Sequence, residues 1–508
     1  MNKKLLYILS GATLLTLGAS GCSKSFLEKE PSGLYTIPQL NEAQLWNPNI
    51  IRGYTSGLVS TTFAYGAGGI NNHSDFGQKS VDIQTDLMSG DMVMTAARYG
   101  HFKSAADLTG TKRDQNAYAY ANWRYYYKLV FAANSIFDIM GSDETLKADA
   151  DNDQKLYFGQ SKTMRGFAYF NLINLYATPY AVDPNAKGIP MYRSTQTEGP
   201  SERSTVQQVY DQIIADLTAG KKALAEVKAM EQANNKDNVN EYVAQGYLAY
   251  AYLQSGQYQK AYDEAVGVIN SGAYPLMTNR QLIESGFREW TNPEFMWAID
   301  LTTDNTEALP TFWGHMDIFT YSYAGIGDYK VISSELQSSI PKEDVRSVWF
   351  NKSGIPYYKF WDSGRKVMGD RSWTNDEVYM RVAEMYLIAA ESAFRSGNEA
   401  NARKWIKELK KNRYNYQLEG VDEAEGTKKF VEAVDKLEGA DLLNEILYNW
   451  RVELWGEGRS LLTMKRFKLN TTRDTRSGFL TGEKVNWDDP RLTFEAPSNE
   501  YTNNPAYK

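Results

Sequence analysis

The stretch that decides the fold is residues 379–393, YMRVAEMYLIAAESA. Its alanine pair at 389–390, followed by Ala402 in the next segment, has the spacing of a tetratricopeptide unit, in which small side chains let paired helices approach closely. A second pair with this spacing is formed by Leu248-Ala249 and Ala261. Because the two pairs are not in tandem, the pattern predicts a helical scaffold with a large insertion and not a simple solenoid.

Helical periodicity extends outward from these two pairs. It dominates residues 116–272 and 377–457, whereas 35–115 and 273–376 lack it and are rich in loops. We therefore expect a mostly α-helical, tetratricopeptide-like single domain over residues 35–508, with a large loop-rich insertion. The helices are predicted at Ala117–Met140, Lys155–Tyr176, from a cap at Ser204 or Thr205 to Leu224, and at Asn240–Gln254, Tyr258–Asn270, Glu377–Arg395, Glu399–Lys411 and Leu442–Trp455.

Composition excludes some partners and hints at others. The chain has 508 residues, of which 42% are hydrophobic and 23% charged, which is ordinary for a globular protein. Its net charge is −7, and no basic stripe is present that would neutralise phosphates, so we expect no nucleic acid partner. The 35 tyrosines and 12 tryptophans combine a large apolar face with a polar tip, which suits hydrated binding surfaces as well as helix interfaces.

The N-terminal residues predict export. In residues 1–21 two lysines precede the apolar run 5–17, and small residues at 19–21 come just before Cys22, as in a signal peptide. The arrangement resembles a bacterial lipobox, in which the cysteine is lipidated. Because Cys22 is the only cysteine, no intramolecular disulfide can use it. We expect residues 22–34 to form the lipid anchor and tether.

Five segments, in order along the chain, resemble the hallmark motifs of the SusD/RagB family of Bacteroidetes outer-membrane lipoproteins. They are Cys22 to Pro31 (CSKSFLEKEP), Arg165 to Leu172 (RGFAYFNL) with Leu175-Tyr176, Tyr379 to Ala393, Arg451 to Arg459 (RVELWGEGR), and Pro497 to Glu500 with Asn504-Pro505.

The resemblance implies a lipid-anchored protein on the cell-surface side of the outer membrane. Such a protein captures an oligosaccharide and passes it to a partner SusC-like TonB-dependent transporter without catalysing a reaction. It also implies that the helical half faces the transporter and that the loop-rich half binds the ligand. Three alternatives remain open: a peptide ligand on the same scaffold, a surface glycosidase, and a pure assembly protein.

Motifs for common catalytic chemistry are missing. The three histidines, His73, His101 and His315, are far apart in the sequence, and H-E-x-x-H, C-x-x-C, G-x-S-x-G and P-loop patterns are absent. We therefore expect no enzyme activity and no cofactor. A carboxylate pair for glycoside hydrolysis depends on spatial distance, so the sequence alone does not test for one.

One segment resembles half of a calcium loop. Asp149, Asp151 and Asp153 recur at every second position, but Gln154 and Gln160 stand where the turn glycine and the closing glutamate belong. We favour a solvated acidic loop between two helices and predict no metal.

The ligand-binding residues are predicted from the two loop-rich regions. A sugar needs an aromatic face for its apolar C–H face and a few polar groups for its hydroxyls. Trp313 lies in a polar setting between Pro310 and Gly314, and Tyr321 and Tyr323 alternate with smaller residues, which predicts that they share one face of a strand. The predicted ligand-binding set is Tyr65, Asn72, His73, Asp91, Trp313, Tyr321 and Tyr323.

Other conspicuous residues are assigned to the scaffold. Trp290 and Trp297 flank an apolar run that predicts a buried strand, so both are expected in the core. Isolated charges within apolar helices must be paired when they are buried. We expect structural ion pairs or caps at Arg165, Arg381, Glu384, Arg451, Glu453 and Arg459.

Overall fold

The computed structural model describes residues 39–40, 49–70, 72–112, 117–195, 199–227, 236–305, 309–362, 364–369 and 374–507. The predicted signal peptide, Cys22 and the tether at 22–34 lie outside the described residues. The chain divides into two compact units, Met1–Arg52 and Gly53–Lys508, and the account below concerns the second.

Helices dominate the described chain. They are α1 Asn49–Ser60, α2 Gln78–Ser89, α3 Lys103–Ala106, α4 Ala117–Met140, α5 Asn152–Tyr176, α6 Val206–Ala225, α7 Glu241–Gln254, α8 Tyr258–Asn270, α9 Gln281–Glu284, α10 Phe312–Met316, α11 Ser334–Ser339, α12 Ala383–Arg395, α13 Glu399–Lys410, α14 Glu423–Glu432, α15 Gly439–Glu453, α16 Ser460–Phe467 and α17 Ser498–Asn503. Short 3₁₀ helices cover Val345–Trp349, Ala433–Lys436, Pro490–Leu492 and Pro505–Tyr507.

The strands are short and form two-stranded antiparallel ribbons: β1 with β5, β2 with β3, β4 with β6, and β7 with β8. Their bounds are β1 Met92–Met94, β2 Lys187–Pro190, β3 Arg203–Thr205, β4 Phe295–Ile299, β5 Lys330–Ile332, β6 Glu377–Arg381, β7 Thr471–Thr472 and β8 Lys484–Val485.

The long helices form a continuous stack. Each of α4 to α7 packs on the next helix, and α8 then packs on α12, which packs on α13. The two predicted helical regions therefore join across the insertion, as the separated tetratricopeptide-like pairs predicted. Small residues allow the close approach, since a Cβ at Gly159 would lie 2.6 Å from Leu224 Cγ and a Cβ at Gly220 would lie 2.6 Å from Thr163 Oγ1.

Helix caps explain two local features. Thr205 and Gln208 form a capping box at the start of α6, as the predicted cap at Ser204 or Thr205 anticipated. Asp151 and Gln154 form a second capping box at the start of α5, with Gln154 N donating to Asp151 Oδ1 at 2.8 Å. Asp151 is thereby used as a helix cap.

A buried network of charges joins the insertion, through Glu294, to the second helical region. Arg381 contacts Glu294, Glu453 and Glu457 at 2.5–2.8 Å, and all four side chains are almost fully buried. Burial raises the pKa of Glu453, but the adjacent guanidinium groups, led by that of Arg413, outweigh this effect and hold the pKa well below its ordinary value.

The other scaffold charges are also paired, as predicted. Arg165 contacts Asp216 at 2.8 Å, and Arg459 contacts Glu384 at 2.9 Å. Arg451 contacts Asp91 at 2.7 Å. These pairs tie distant segments of the chain together and are structural.

Three structural expectations are wrong. Residues 377–381 form strand β6 and not the first turns of a helix, because they pair with β4. The region 35–115 contains α2, whose residues are all buried, so that it has no amphipathic stripe that the sequence could reveal. Trp297 is buried in β4 as expected, but Trp290 lies in a turn and is only half-buried.

Within the described ranges, no helix combines the length and the apolar character needed to cross a bilayer.

Candidate functional site

The three histidines meet at one place despite their separation in the sequence. The ring centroids of His73 and His101 lie 5.6 Å apart with the rings stacked, and His315 lies edge-on to His101 at 5.7 Å. Tyr323 contacts all three rings, with centroid distances of 4.7 to 5.9 Å. Together with Tyr65, Asn72 and Tyr99, these residues are called the histidine–tyrosine cluster.

Local hydrogen bonds hold the loop that carries His73. The Asp75 carboxylate accepts from Gly68 N at 2.8 Å and from Ile70 N at 3.1 Å, which closes the turn before the cluster. Asn72 Oδ1 accepts from Ser74 N at 3.1 Å, so its position is set by its own loop. These hydrogen bonds link the described residues on either side of the turn to the segment that carries His73.

Hydrogen bonds also define which ring nitrogens carry protons. The His73 carbonyl can only accept, so the 2.9 Å contact to His315 Nε2 requires a proton on that nitrogen. His101 Nδ1 lies 2.8 Å from Asn72 Oδ1 and donates to it. His73 Nδ1 lies 2.6 Å from the Tyr323 hydroxyl. The rings are thus oriented by partners on two segments, the loop at residues 72–73 and the turn that carries Tyr323.

The surroundings favour neutral imidazoles. Burial, followed by the influence of the nearby His73 and Lys330, lowers the pKa of His101 to about 4, because the Asp328 carboxylate restores only part of the loss. Burial likewise holds the pKa of His315 well below its ordinary value, assisted by Lys330. The uncharged rings of His101 and His315 provide flat, polarisable faces without the hydration shell of an imidazolium.

This electrostatic assignment predicts a titration result. The His101 ring is expected to stay neutral from pH 8 down to about pH 5, because its pKa lies near 4. The Cε1–H NMR signals of the three histidines, assigned with single substitutions, report it, with N-acetyl-histidine amide as the ordinary reference. A His101 midpoint near that of the reference, about 6.5, would contradict the assignment.

The outer side of the cluster is open to solvent. Tyr99 is 60% exposed and its ring stacks on His101, with centroids 6.5 Å apart and an interplanar angle of 11°. A ladder of near-parallel rings is therefore formed by Tyr99, His101 and His73. Its outer ring, Tyr99, is exposed, and the two histidine rings are half-buried. Tyr65 stands edge-on to His73, with ring centroids 5.9 Å apart. Tyr321, two positions before Tyr323, is 50% exposed.

The predicted residues separate into two groups. The structure brings Tyr65, Asn72, His73 and Tyr323 together in the cluster. Asp91 and Trp313 are buried elsewhere: Asp91 accepts from Arg451, and Trp313 Nε1 donates to the Asp376 carbonyl at 3.1 Å. Their polar atoms already serve the scaffold, so we remove both from the candidate site.

The strand expected around Tyr321 and Tyr323 is not formed. Residues 320–323 bend and turn, and Thr320 makes only an isolated bridge to Gly369. The turn sends the two tyrosines to different environments, since Tyr323 is only 8% exposed. Tyr321 is half exposed, whereas Tyr323 is buried and contacts the histidine rings.

Three members of the cluster, Tyr99, His101 and His315, were absent from the predicted set. A usable signal existed, since histidine occurs only three times in the chain and all three lie in the two loop-rich regions. Within the described residues, no group of three or more His, Cys, Asp or Glu side chains has an arrangement that could hold a metal ion. The histidines stack and donate to oxygens instead of converging on one point.

Comparisons with known proteins agree with the fold. Residues 70–253 match the profile of a SusD-like family described as starch-binding and associating with the outer membrane, and residues 329–506 match that of the SusD family. SusD-like protein P25 of Formosa agariphila is 19% identical over 485 residues, covering 85% of this chain and 87% of that protein.

Crystal structures give the same result. A SusD-like carbohydrate binding protein from Bacteroides vulgatus superposes with a TM-score of 0.70 at 21% identity, covering 90% of this chain and 97% of that one. A SusD superfamily protein from Bacteroides fragilis gives 0.71 at 19% identity, covering 91% and 99%. Since the two family profiles together match well over half of the chain and the fold agrees along most of it, the protein belongs to the SusD/RagB family.

Proposed function

We propose that this protein is a non-catalytic carbohydrate-binding protein of the outer-membrane surface and that the histidine–tyrosine cluster is its ligand site. The observation that carries the proposal is the ladder of Tyr99, His101 and His73, which begins at an exposed tyrosine face. The matched family described as starch-binding and the carbohydrate-binding relative of known structure support this class of ligand.

The cluster has the two elements that sugar recognition requires. The exposed ring of Tyr99 offers a flat face to the apolar C–H face of a pyranose. Asn72 and the histidines place oriented donors and acceptors at the edge of that face, and the neutral rings of His101 and His315 avoid the desolvation cost of a buried charge. The bound ligand is therefore expected to lie across Tyr99, with its hydroxyls towards the loop at residues 72–74.

Delivery to a transporter is the second part of the proposal. We propose that the lipid on Cys22 holds the protein at the outer membrane and that the helical stack α4–α8 with α12 and α13 contacts a SusC-like TonB-dependent transporter. The family membership and the outer-membrane association of the matched profile support this arrangement. Co-purification of a transporter with the full chain from detergent-solubilised outer membranes tests it.

Tyr99→Ala is expected to weaken glycan binding by about tenfold, because the stacking face is removed without touching the core. Isothermal titration against a panel of oligosaccharides, with a panel of peptides in parallel, measures the effect. Val182→Ala is the control, since Val182 is also exposed, at 52%, but lies outside both the cluster and helix α4. It should leave glycan affinity unchanged.

Three outcomes would reject the proposal. The cluster is not the site if Tyr99→Ala binds the glycan as tightly as the parent protein. Tight binding of peptides with no response to any glycan would show that the ligand is a peptide and not a carbohydrate. Cleavage of a bound oligosaccharide during the titration would contradict the non-catalytic role.

A further inference from the structure

A second aromatic surface lies on helix α4 and shares no residue with the histidine–tyrosine cluster. Trp123, Tyr127 and Phe131 occur at every fourth position and so line one face of the helix. Opposite them lie Tyr192 and, from α17, Glu500. Together these side chains enclose an open cavity of about 350 Å³, a volume suited to a small ligand. We call it the α4 pocket.

The rings form walls at steep angles to each other. The centroids of Trp123 and Tyr127 lie 4.8 Å apart with an interplanar angle of 48°, and those of Tyr127 and Tyr192 lie 5.8 Å apart at 77°. Phe131 extends the wall into solvent. Such a corner presents the negative faces of several rings to one small volume, which is the geometry that binds cations.

Most polar groups around the α4 pocket are already engaged by the protein. The Tyr127 hydroxyl donates to the Pro190 carbonyl at 2.8 Å. Asn134 Nδ2 donates to the Tyr192 carbonyl at 3.0 Å, and its Oδ1 accepts from Arg165 at 2.8 Å. These atoms are therefore poorly placed to read the hydroxyl pattern of a neutral sugar.

Glu500 is different, because it brings a charge to the rim. Asn504 Nδ2 donates to one of its carboxylate oxygens at 2.7 Å, which fixes the side chain in place. Burial is the main cause that raises the pKa of Tyr192, and the negative charge of Glu500 is the second. The carboxylate of Glu500 therefore influences the electrostatic potential inside the pocket. A fixed carboxylate beside several ring faces complements a small positive charge.

The same group of rings already accepts a cation from the chain itself. The Arg203 guanidinium lies 5.0 Å from the ring centroid of Tyr507, and Tyr507 packs edge-on against Trp123 at 5.9 Å. The outer part of the group, at Tyr127, Phe131 and Tyr192, offers comparable faces to a ligand.

We propose that the α4 pocket binds a primary ammonium group, supplied either by a lysine side chain or by an amino sugar. The ammonium lies against the faces of Tyr127, Tyr192 and Phe131, and Glu500 neutralises its charge. This inference does not depend on the proposed function of the histidine–tyrosine cluster.

NMR titration of the full-length protein tests the proposal. Tryptophan is labelled with ¹⁵N, and the side-chain signal of Trp123 is identified by its loss in Trp123→Phe. The probes are N-acetyl-lysine methylamide and glucosamine, with N-acetyl-norleucine methylamide and glucose as uncharged counterparts. Titration to about 50 mM covers the weak affinities expected of a single cation–π site. At least one ammonium probe is expected to shift the Trp123 signal saturably, and its identity names the source of the group.

Two variants separate the charge from the apolar surface. Glu500→Gln keeps an oxygen that can accept from Asn504 but removes the charge. It is expected to lower the affinity for the ammonium probe about tenfold. Phe131→Leu keeps an apolar side chain but removes a ring face, and it should lower the affinity for the ammonium probe several-fold.

Clear results would overturn the proposal. They are equal binding of the charged and uncharged probes, unchanged affinity in Glu500→Gln, or no Trp123 shift with either ammonium probe. Tyr99→Ala should leave ammonium binding intact, and Glu500→Gln should leave glycan affinity intact. The failure of one site is thereby distinguished from the failure of the other.

Discussion

Glu453→Gln is expected to destabilise the protein by about 3–5 kcal/mol, the cost typical of removing one partner from a buried ion pair. One oxygen of Glu453 lies 2.6 Å from Arg381 and 2.7 Å from Arg413, and the other lies 2.9 Å from Arg346. All four side chains are fully buried. The substitution leaves three guanidinium groups in the interior with one carboxylate fewer between them.

The geometry explains why neutralisation is costly here. Arg381 keeps Glu294 and Glu457, and Arg346 keeps Asp344. Arg413 keeps only the longer 3.7 Å contact to Glu294 among the carboxylates of the described chain. An incompletely compensated charge in a dry interior is the main source of the expected loss.

Urea denaturation followed by tryptophan fluorescence measures the change in the free energy of unfolding. Glu423→Gln is the matched control, since it removes a carboxylate that binds Arg280 at 2.9 Å on the surface, where both side chains are largely exposed. This surface pair is expected to contribute about 1 kcal/mol or less. Equal losses in the two variants would show that the Glu453 network does not stabilise the fold.

Gly77→Ala is expected to cost about 3 kcal/mol or more, because a strained backbone and a backbone clash add together. Gly77 precedes α2 with φ 74° and ψ −142°, a backbone conformation that residues other than glycine rarely adopt. A Cβ at this position would lie 2.0 Å from the Thr62 carbonyl oxygen, a backbone atom that also accepts from Gln78 N. This clash is relieved only if the loop before Gly77 or the start of α2 moves.

The substitution should also affect ligand binding, because Gly77 is four positions from His73. A shift at the start of α2 displaces the loop that Asp75 closes and so disturbs the stacked rings. Gly141→Ala is the control: its φ is 85°, but its Cβ would meet open space, so only a backbone cost of about 1 kcal/mol is expected. Urea denaturation and glycan titration on both variants test this. Equal stability and unchanged affinity would contradict the role assigned to Gly77.

The long helices were predictable because their signals are local. The bounds of α4 and α8 agree with the predicted segments, since apolar spacing and capping residues act between neighbours in the chain. Helix α2 escaped detection because its polar side chains are satisfied by distant partners, for example Gln78 by Tyr126 and Gln84 by Asn122. Its environment, and not its own pattern, stabilises it.

The candidate site shows the same division. The loop chemistry around Tyr65, Asn72 and His73 was visible as a concentration of turn-forming and aromatic residues. The assembly of those residues with His101 and Tyr323 was not, because His73 and Tyr323 are 250 positions apart and meet through a single 2.6 Å contact. Asp91 and Trp313 looked equally suitable in sequence, and only their burial against Arg451 and Asp376 removed them.

By itself, the sequence determined the helical class, the position of most long helices and the family. Each depends on spacing between near neighbours or on motifs that the chain carries in order. Only the tertiary structure decided which aromatic residues face solvent, that the three histidines converge, and that α4 and α17 enclose a pocket beside Glu500. Those properties depend on contacts between remote segments, which linear order does not specify.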